Sequence, residues 1–196
     1  MNVHHFAEQI KDFFKEKNNF GIKIEISDES GQLLDTGGGL KKAAWFFDDN
    51  EPFLVHNVDV ISDIDIDLLY HSHIQSSALA TLAVRKRESS RFLLFDERSN
   101  LCGWKNIKTG ELKNSKGNVE DLIPFAFSGI QIIEPEIFSL MNESGKFSMI
   151  DVYLRLATYH KISGFSHDPD YWFDLGKPEN IPEAEAVLKR NQLADE

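Results

Sequence analysis

A single cysteine, Cys102, is present in 196 residues, so the chain can form no internal disulfide and no cysteine-rich metal site. Its surroundings, Leu101-Cys102-Gly103-Trp104, are apolar and hold no paired His or second Cys, which reads as packing. Long hydrophobic runs are missing too: nothing approaches the roughly 20 apolar residues of a membrane span. The opening stretch MNVHHFAEQIKDFF carries Glu8, Lys11 and Asp12 where a secretory signal would need an unbroken apolar core. No membrane partner is therefore expected, and a reducing cytoplasm is the expected location. Positive charge is scarce, with 21 Lys and Arg against 32 Asp and Glu and a net charge of -11. A nucleic-acid backbone is excluded as a partner on that balance, because its binding needs clustered cations. With 41% hydrophobic residues and no repeat, low-complexity tract or linker, the chain is expected to bury one core as a single domain over 1–196.

What the sequence does contain is organised around residues 53–67, FLVHNVDVISDIDID. The apolar run Phe53, Leu54, Val55, Val58, Val60 and Ile61, broken by His56, Asn57 and Asp59, reads as a strand covered on both faces that delivers a carboxylate near its end. In open α/β sheets ligands sit outside the carboxyl ends of strands, so Asp59 is a candidate pocket residue, a solvated turn being the bland alternative. Upstream, Phe6, Ile10, Phe13 and Phe14 repeat at helical spacing over 5–17, and Ile22, Ile24 and Ile26 alternate as a strand. Gly37, Gly38 and Gly39 then precede a helix and read as a loop whose backbone amides could meet a ligand, or simply as a flexible turn. Asp63, Asp65 and Asp67 suit the first turn of a helix, and His71 and His73, two apart and so on different helix faces, read as surface residues rather than zinc ligands.

Strands are expected over 80–86, 91–95, 101–104 and 125–133, with turns at 108–110 and 115–117 and helices over 135–141 and 150–159. Ser128-Gly129 inside the strand at 125–133 is a place where a ligand or another backbone could approach closely. Tyr171-Trp172-Phe173-Asp174 repeats the earlier design, an aromatic strand delivering an Asp, ahead of a helix over 182–191. Two strand-end carboxylates, Asp59 and Asp174, together with a glycine segment and Ser128-Gly129, suggest a magnesium site. Mg²⁺ takes one or two carboxylates and leaves the rest of its shell to phosphates and water.

Four segments in order, Asp35-Thr36-Gly37-Gly38-Gly39, His56-Asn57-Val58-Asp59, Phe127-Ser128-Gly129-Ile130 and Trp172-Phe173-Asp174-Leu175-Gly176-Lys177-Pro178-Glu179, resemble the sugar-1-phosphate nucleotidyltransferases, in particular their short bacterial branch. The likeness runs from Asn2 to Leu188. It implies an α/β fold with a Rossmann-like (GT-A-like) mixed sheet flanked by helices, and a Mg²⁺-dependent reaction that makes an NDP-sugar and pyrophosphate from an NTP and a sugar 1-phosphate. By the resemblance Asp59 and Asp174 are the catalytic metal ligands, Thr36, Gly37 and Gly38 lie against base and ribose, Asn57 is a further substrate contact, and Ser128 and Gly129 line the sugar pocket. The family's N-terminal strand and its Gly-x-Gly-Thr-Arg triphosphate loop have no counterpart here, and Lys41, Lys42 and Arg85 match none of its cations. The expected fold therefore lacks the family's first strands. Three outcomes stay open: a sheet that closes differently, a complementing N-terminal segment or self-association through exposed strand edges, or an inactive fragment or pseudoenzyme that binds only nucleotide-sugar.

Overall fold

A computed structural model describes residues 1–114 and 116–194; Ser115, in the turn expected at 115–117, lies outside the described residues. In chain order the first half holds β1 (Asn2–Val3), α1 (Ala7–Glu16), β2 (Ser27–Asp28), α2 (Asp35–Lys42), β3 (Phe53–His56), β4 (Val60–Ser62), α3 (Ile66–Ser76) and β5 (Ala80–Arg85). The second half holds β6 (Arg91–Phe95), β7 (Leu101–Asn106), β8 (Leu112–Asn114), β9 (Ile123–Ile133), α4 (Ile137–Leu140), α5 (Met149–Leu156), β10 (Ile162–Ser166), β11 (Trp172–Asp174) and α6 (Ile181–Ala194). The chain clusters into two compact units, Met1–Phe53 with Glu134–Leu156, and Leu54–Ile133 with the chain from Ala157 onward. Among the described residues no helix is long and apolar enough to cross a membrane.

In the first unit, β1 and β2 pair in parallel, with Asn2 opposite Ser27 and Val3 opposite Asp28. The strand expected over 22–26 is not formed. Its alternation supplies a face, but the partner strand is two residues long, so the ladder covers Ser27–Asp28 and leaves Ile22 65% exposed. The three glycines are not a loop either: they lie within α2, all buried. Helix geometry wins there because neighbouring backbone replaces the missing side chains. A Cβ on Gly38 would collide with the Gly145 carbonyl, and one on Gly37 would come within 2.5 Å of the Phe147 ring. Phe47, Phe53 and Phe138 stack, the last two with ring centroids 5.6 Å apart and planes 2° from parallel. Arg155 clamps Glu143 through Nε and Nη2, at 2.7 and 2.9 Å, and this holds the Glu143 carboxyl below its usual range.

The second unit is built on a mixed sheet ordered β10-β5-β9-β6-β7-β8, with β3 also paired to β9. β10 and β5 run parallel, whereas β5–β9, β6–β9, β6–β7 and β7–β8 are antiparallel. Leu69, Ala83, Ile130 and Ile132, each no more than 1% exposed, form its core with Val60 and Ile64. Each of the Leu, Ile and Val side chains contributes about 1.5–3 kcal/mol through water exclusion. The helix α3 begins at Asp65, whose Oδ1 accepts from the Leu68 amide at 2.8 Å, so one acid of the Asp63/Asp65/Asp67 set is an N-cap. His73 corrects the surface expectation. It lies four residues after Leu69, so helical geometry puts both on the buried face, and its Nδ1 pairs with Thr81 Oγ1 at 2.9 Å. His71 is exposed as expected, and Cys102 is packed at 2% exposure.

Candidate functional site

The single strand expected from Phe53 to Ile61 divides into β3, a turn and β4, and α3 follows where the acidic residues 63–67 placed a helix start. Polar Asn57 and Asp59 interrupt the apolar run where the Asn57 amide donates to Gly129 O at 2.8 Å and the Val60 amide turns back to Asn57 O at 3.1 Å. Asp59 thus sits, exposed, on a tight turn fastened to β9. The strand β4 leaves the large sheet and pairs antiparallel with β11, which sets Asp174 opposite Val60. A further bond, Leu175 N–H to Asp59 O at 2.7 Å, closes the register. A one-residue slip would reverse the Asp174 side chain, so this short ribbon fixes which way it points.

Asp59 and Asp174 converge. A Cβ placed on Gly176 would stand 3.0 Å from Asp174 Oδ1 and 3.0 Å from Asp59 Oδ2, so the absent side chain leaves a space open between two carboxylates. Asp174 is held by the Gly176 amide on Oδ1 at 3.1 Å, by Lys177 Nζ 3.6 Å from Oδ2, and by Asn180 Nδ2 on its carbonyl at 2.8 Å. Among the described residues there is no cluster of three or more His, Cys, Asp or Glu suited to a metal. A two-carboxylate cradle matches what Mg²⁺ accepts, since that ion keeps waters and substrate oxygens in most of its shell.

Behind the turn, Gly129 adopts φ 78 where β9 slips register against β5 between Leu82 and Val84. Only glycine tolerates this conformation freely, and the Asn57 side chain closes over it, 2.9 Å from where a Cβ would be. Ser128 is fully buried. Its Oγ pairs with His167 Nε2 at 2.6 Å and its carbonyl accepts from Trp172 Nε1 at 2.8 Å. Burial and the Arg85 charge push the His167 pKa down, against Asp170 and Asp168, which raise it. His167 Nδ1 is 3.5 Å from Asp170 Oδ2, inside ion-pair reach but without hydrogen-bond geometry.

No established family profile matches the chain. It is 28% identical over 196 residues to the N-acetylmuramate alpha-1-phosphate uridylyltransferase of Caulobacter vibrioides, covering 96% of this chain and 76% of that one. The UTP--glucose-1-phosphate uridylyltransferase of Synechocystis is 26% identical over 204 residues, covering 97% of this chain and 51% of that one. Among solved structures, HddC from Yersinia pseudotuberculosis superposes with a TM-score of 0.73 at 19% identity, over 93% of this chain and 75% of that one. The chain is thus similar in sequence to sugar-1-phosphate uridylyltransferases and guanylyltransferases. Its fold is theirs as well, a Rossmann-like mixed sheet flanked by helices.

Against that nucleotidyltransferase background, Asp59, Asp174, Asn57, Ser128 and Gly129 all fall in the second unit, where the first pair converges and Asn57 covers Gly129. Thr36, Gly37 and Gly38 fall in the first unit. There Thr36 Oγ1 accepts from the Met149 amide at 3.0 Å, and the Gly37 and Gly38 amides donate to Phe147 O at 2.9 and 3.3 Å, so these donors are engaged within the chain.

Arg87, His167 and Asn180 were invisible as site residues in the sequence. Arg87 stacks its guanidinium carbon 4.3 Å from the Trp172 ring centroid and donates to Phe127 O at 3.0 Å. Desolvation lowers the Arg87 pKa, Asp174 raises it and Arg85 lowers it, so one cation of the second unit lies in the field of the Asp174 carboxylate. The only signal was the basic run Arg85-Lys86-Arg87 at a strand end in an acidic chain.

Proposed function

We propose that this chain transfers a nucleotidyl group from an NTP to a sugar 1-phosphate, releasing pyrophosphate and an NDP-sugar, with Asp59 and Asp174 as Mg²⁺ ligands. The observation that carries the reading is the convergence of the two carboxylates on the space that Gly176 leaves open. In the balanced reaction a phosphate oxygen of the sugar 1-phosphate bonds to the NTP α-phosphorus, the α–β anhydride bond breaks, and its electron pair leaves on pyrophosphate. Such a transfer depends on alignment and charge neutralisation more than on a covalent catalyst. Bound Mg²⁺ would neutralise charge on the phosphate oxygens. The chain's residues do the positioning: the β4–β11 ribbon fixes both carboxylates, Lys177 and the Gly176 amide restrain Asp174, and the Gly129 bulge anchors the Asp59 turn.

In this reading Asn57, Ser128 and Gly129 form the sugar side of the pocket. For buried Ser128 this means a backbone contribution, because its hydroxyl is bonded to His167. By family likeness Thr36, Gly37 and Gly38, in the first unit, are the residues that would lie against base and ribose.

The test measures pyrophosphate release with UTP, GTP, dTTP and CTP against a panel of sugar 1-phosphates, with and without Mg²⁺. Because the sequence contains no Gly-x-Gly-Thr-Arg segment, a polypeptide carrying that loop is added in parallel. Metal-dependent turnover in either arm supports the proposal; none in both, with a cooperative melt, sinks it. A second reading, a module that binds nucleotide-sugar without turnover, is favoured by the engagement of Thr36 Oγ1 and of the Gly37 and Gly38 amides within the chain. It predicts calorimetric binding of UDP- or GDP-sugar and none of free NTP.

A further inference from the structure

An imidazole is a costly side chain to bury, because two polar nitrogens need partners, and His167 satisfies one of them. It follows β10 directly, its side chain is 1% exposed, and its amide donates to the Val84 carbonyl at 3.1 Å. Nε2 lies 2.6 Å from Ser128 Oγ, whereas Nδ1 is buried without a hydrogen-bond partner, 3.5 Å from Asp170 Oδ2. A carboxylate on that side favours the proton on Nδ1, which makes Nε2 the acceptor and the Ser128 hydroxyl the donor. Ser128 is fully buried, so this line of Ser, His and Asp reaches no substrate as a nucleophile.

What it reaches is the pair of carboxylates. The Ser128 carbonyl accepts from Trp172 Nε1 at 2.8 Å, two residues before Asp174 in β11. The Gly129 carbonyl accepts from the Asn57 amide at 2.8 Å, two residues before Asp59. From His167 the chain makes one tight turn, closed by Asp170 N–H to His167 O at 3.1 Å, and enters β11 through Tyr171, whose amide donates to Asp63 Oδ1 at 2.7 Å. The dipeptide Ser128-Gly129 is thus tied to the stretch that carries each acid, and its side-chain tie goes to His167.

We propose that His167 is a positioning residue: neutral, it accepts from Ser128 Oγ and keeps the Asp59 and Asp174 carboxylates at the separation a divalent cation needs; protonated, it loosens both. The metal half rests on the nucleotidyltransferase reading; the positioning half does not. Protonation puts hydrogen on both ring nitrogens, so Nε2 can no longer accept and the Ser128 hydroxyl loses its acceptor. The imidazolium is also drawn to Asp168 and Asp170 and pushed from Arg85, the charged groups that face the ring from the following turn and from β5. Burial and Arg85 hold the His167 pKa below its usual range, so the accepting form is the one present at neutral pH.

The test starts with metal-free protein, in which the NMR signals of the His167 ring, the Trp172 indole N–H and the Leu175 amide are followed against pH. That amide donates to Asp59 O at 2.7 Å and so reports the link between the two acids. Both reporters are expected to move with the His167 midpoint, and in His167→Gln, which bonds Ser128 Oγ without titrating, that step should be absent. Below the midpoint the Leu175 amide should exchange with solvent about tenfold faster than in His167→Gln at the same pH. Mn²⁺ is then titrated calorimetrically above the midpoint. His167→Ala should bind it about 10- to 100-fold more weakly than the unaltered protein, and His167→Gln should recover most of that loss. Reporters indifferent to the His167 midpoint overturn the positioning, and that measurement stands even if His167→Ala melts early. Reporters that follow it, with no Mn²⁺ bound by any of the three proteins, refute the metal reading and leave the positioning standing. Mn²⁺ binding lost in Asp59→Asn but unchanged in His167→Ala refutes the positioning and leaves the metal reading standing.

Discussion

Gly38 and Gly176 are both places where a methyl group cannot be added quietly, yet for opposite reasons. At Gly38 the space is already full, since the Gly145 carbonyl occupies the position a Cβ would take. At Gly176 the atoms nearest the Cβ position are carboxylate oxygens of Asp59 and Asp174, each 3.0 Å away, side-chain ends rather than backbone. The first glycine lets backbone pack on backbone; the second keeps two charges facing the point a side chain would take. A glycine-rich segment therefore says nothing about ligands until the atoms around it are known, and here the richer segment is the packed one.

The largest effect should come from removing one carboxylate at the open position. Asp59→Asn or Asp174→Asn is expected to lower metal-dependent turnover about 1,000-fold or more, roughly 4 kcal/mol of barrier, with little change in melting temperature. Equal loss in an Asp65→Asn control would instead mean general acidity or misfolding. Next comes Gly38→Ala, where backbone must move: a loss of about 1–3 kcal/mol of stability is expected in denaturant titration. Gly176→Ala sharpens the comparison, because there the carboxylates have to shift instead. It should keep the fold to within about 1 kcal/mol while reducing turnover roughly 10- to 100-fold. A Gly176→Ala protein that unfolds while keeping its specific activity would reverse the two roles.

His167 predicts a smaller, pH-dependent effect. Its folded pKa is lowered by burial and by Arg85, against Asp170 and Asp168, so below the unfolded value of about 6.5 the unfolded chain takes up the proton more readily. Stability should therefore fall as pH drops through that value, and His167→Gln, which can still bond Ser128 Oγ, should flatten this part of the profile. Glu143, depressed by Arg155, adds a second loss at lower pH, as its carboxylate protonates and releases the clamp. Thermal melts across the acid range separate the two, since only the upper step disappears in His167→Gln. The smallest effect should be Asp65→Asn, an exchange between two good N-cap residues costing a few tenths of a kcal/mol.

Much of this was legible in the chain because it depends on neighbours in sequence. Periodicity was enough for α1, α5 and α6 and for strands β5, β6, β7 and β9, and the aromatic run at 171–173 led to Asp174 as expected. Where the reading failed, the deciding partner was distant. The 22–26 alternation had no strand long enough to pair with, and the 53–67 run was cut where Gly129 O captured the Asn57 amide. His73 is buried because it shares a helix face with Leu69, four residues before it, which its two-residue spacing from His71 does not reveal.

What the sequence alone determined is the list of ingredients: an acidic α/β chain, two carboxylates each beside a turn, and the order of segments that relates it to sugar-1-phosphate nucleotidyltransferases. Only the tertiary structure decided that Asp59 and Asp174 meet, because they are joined through the β4–β11 register and not through any spacing along the chain. The same holds for Arg85 and Arg87. Sequence shows two cations in an acidic protein, but whether a cation is neutralised depends on which carboxylates fold near it, and among the described residues neither makes an ion pair, Asp174 acting on Arg87 only through its field.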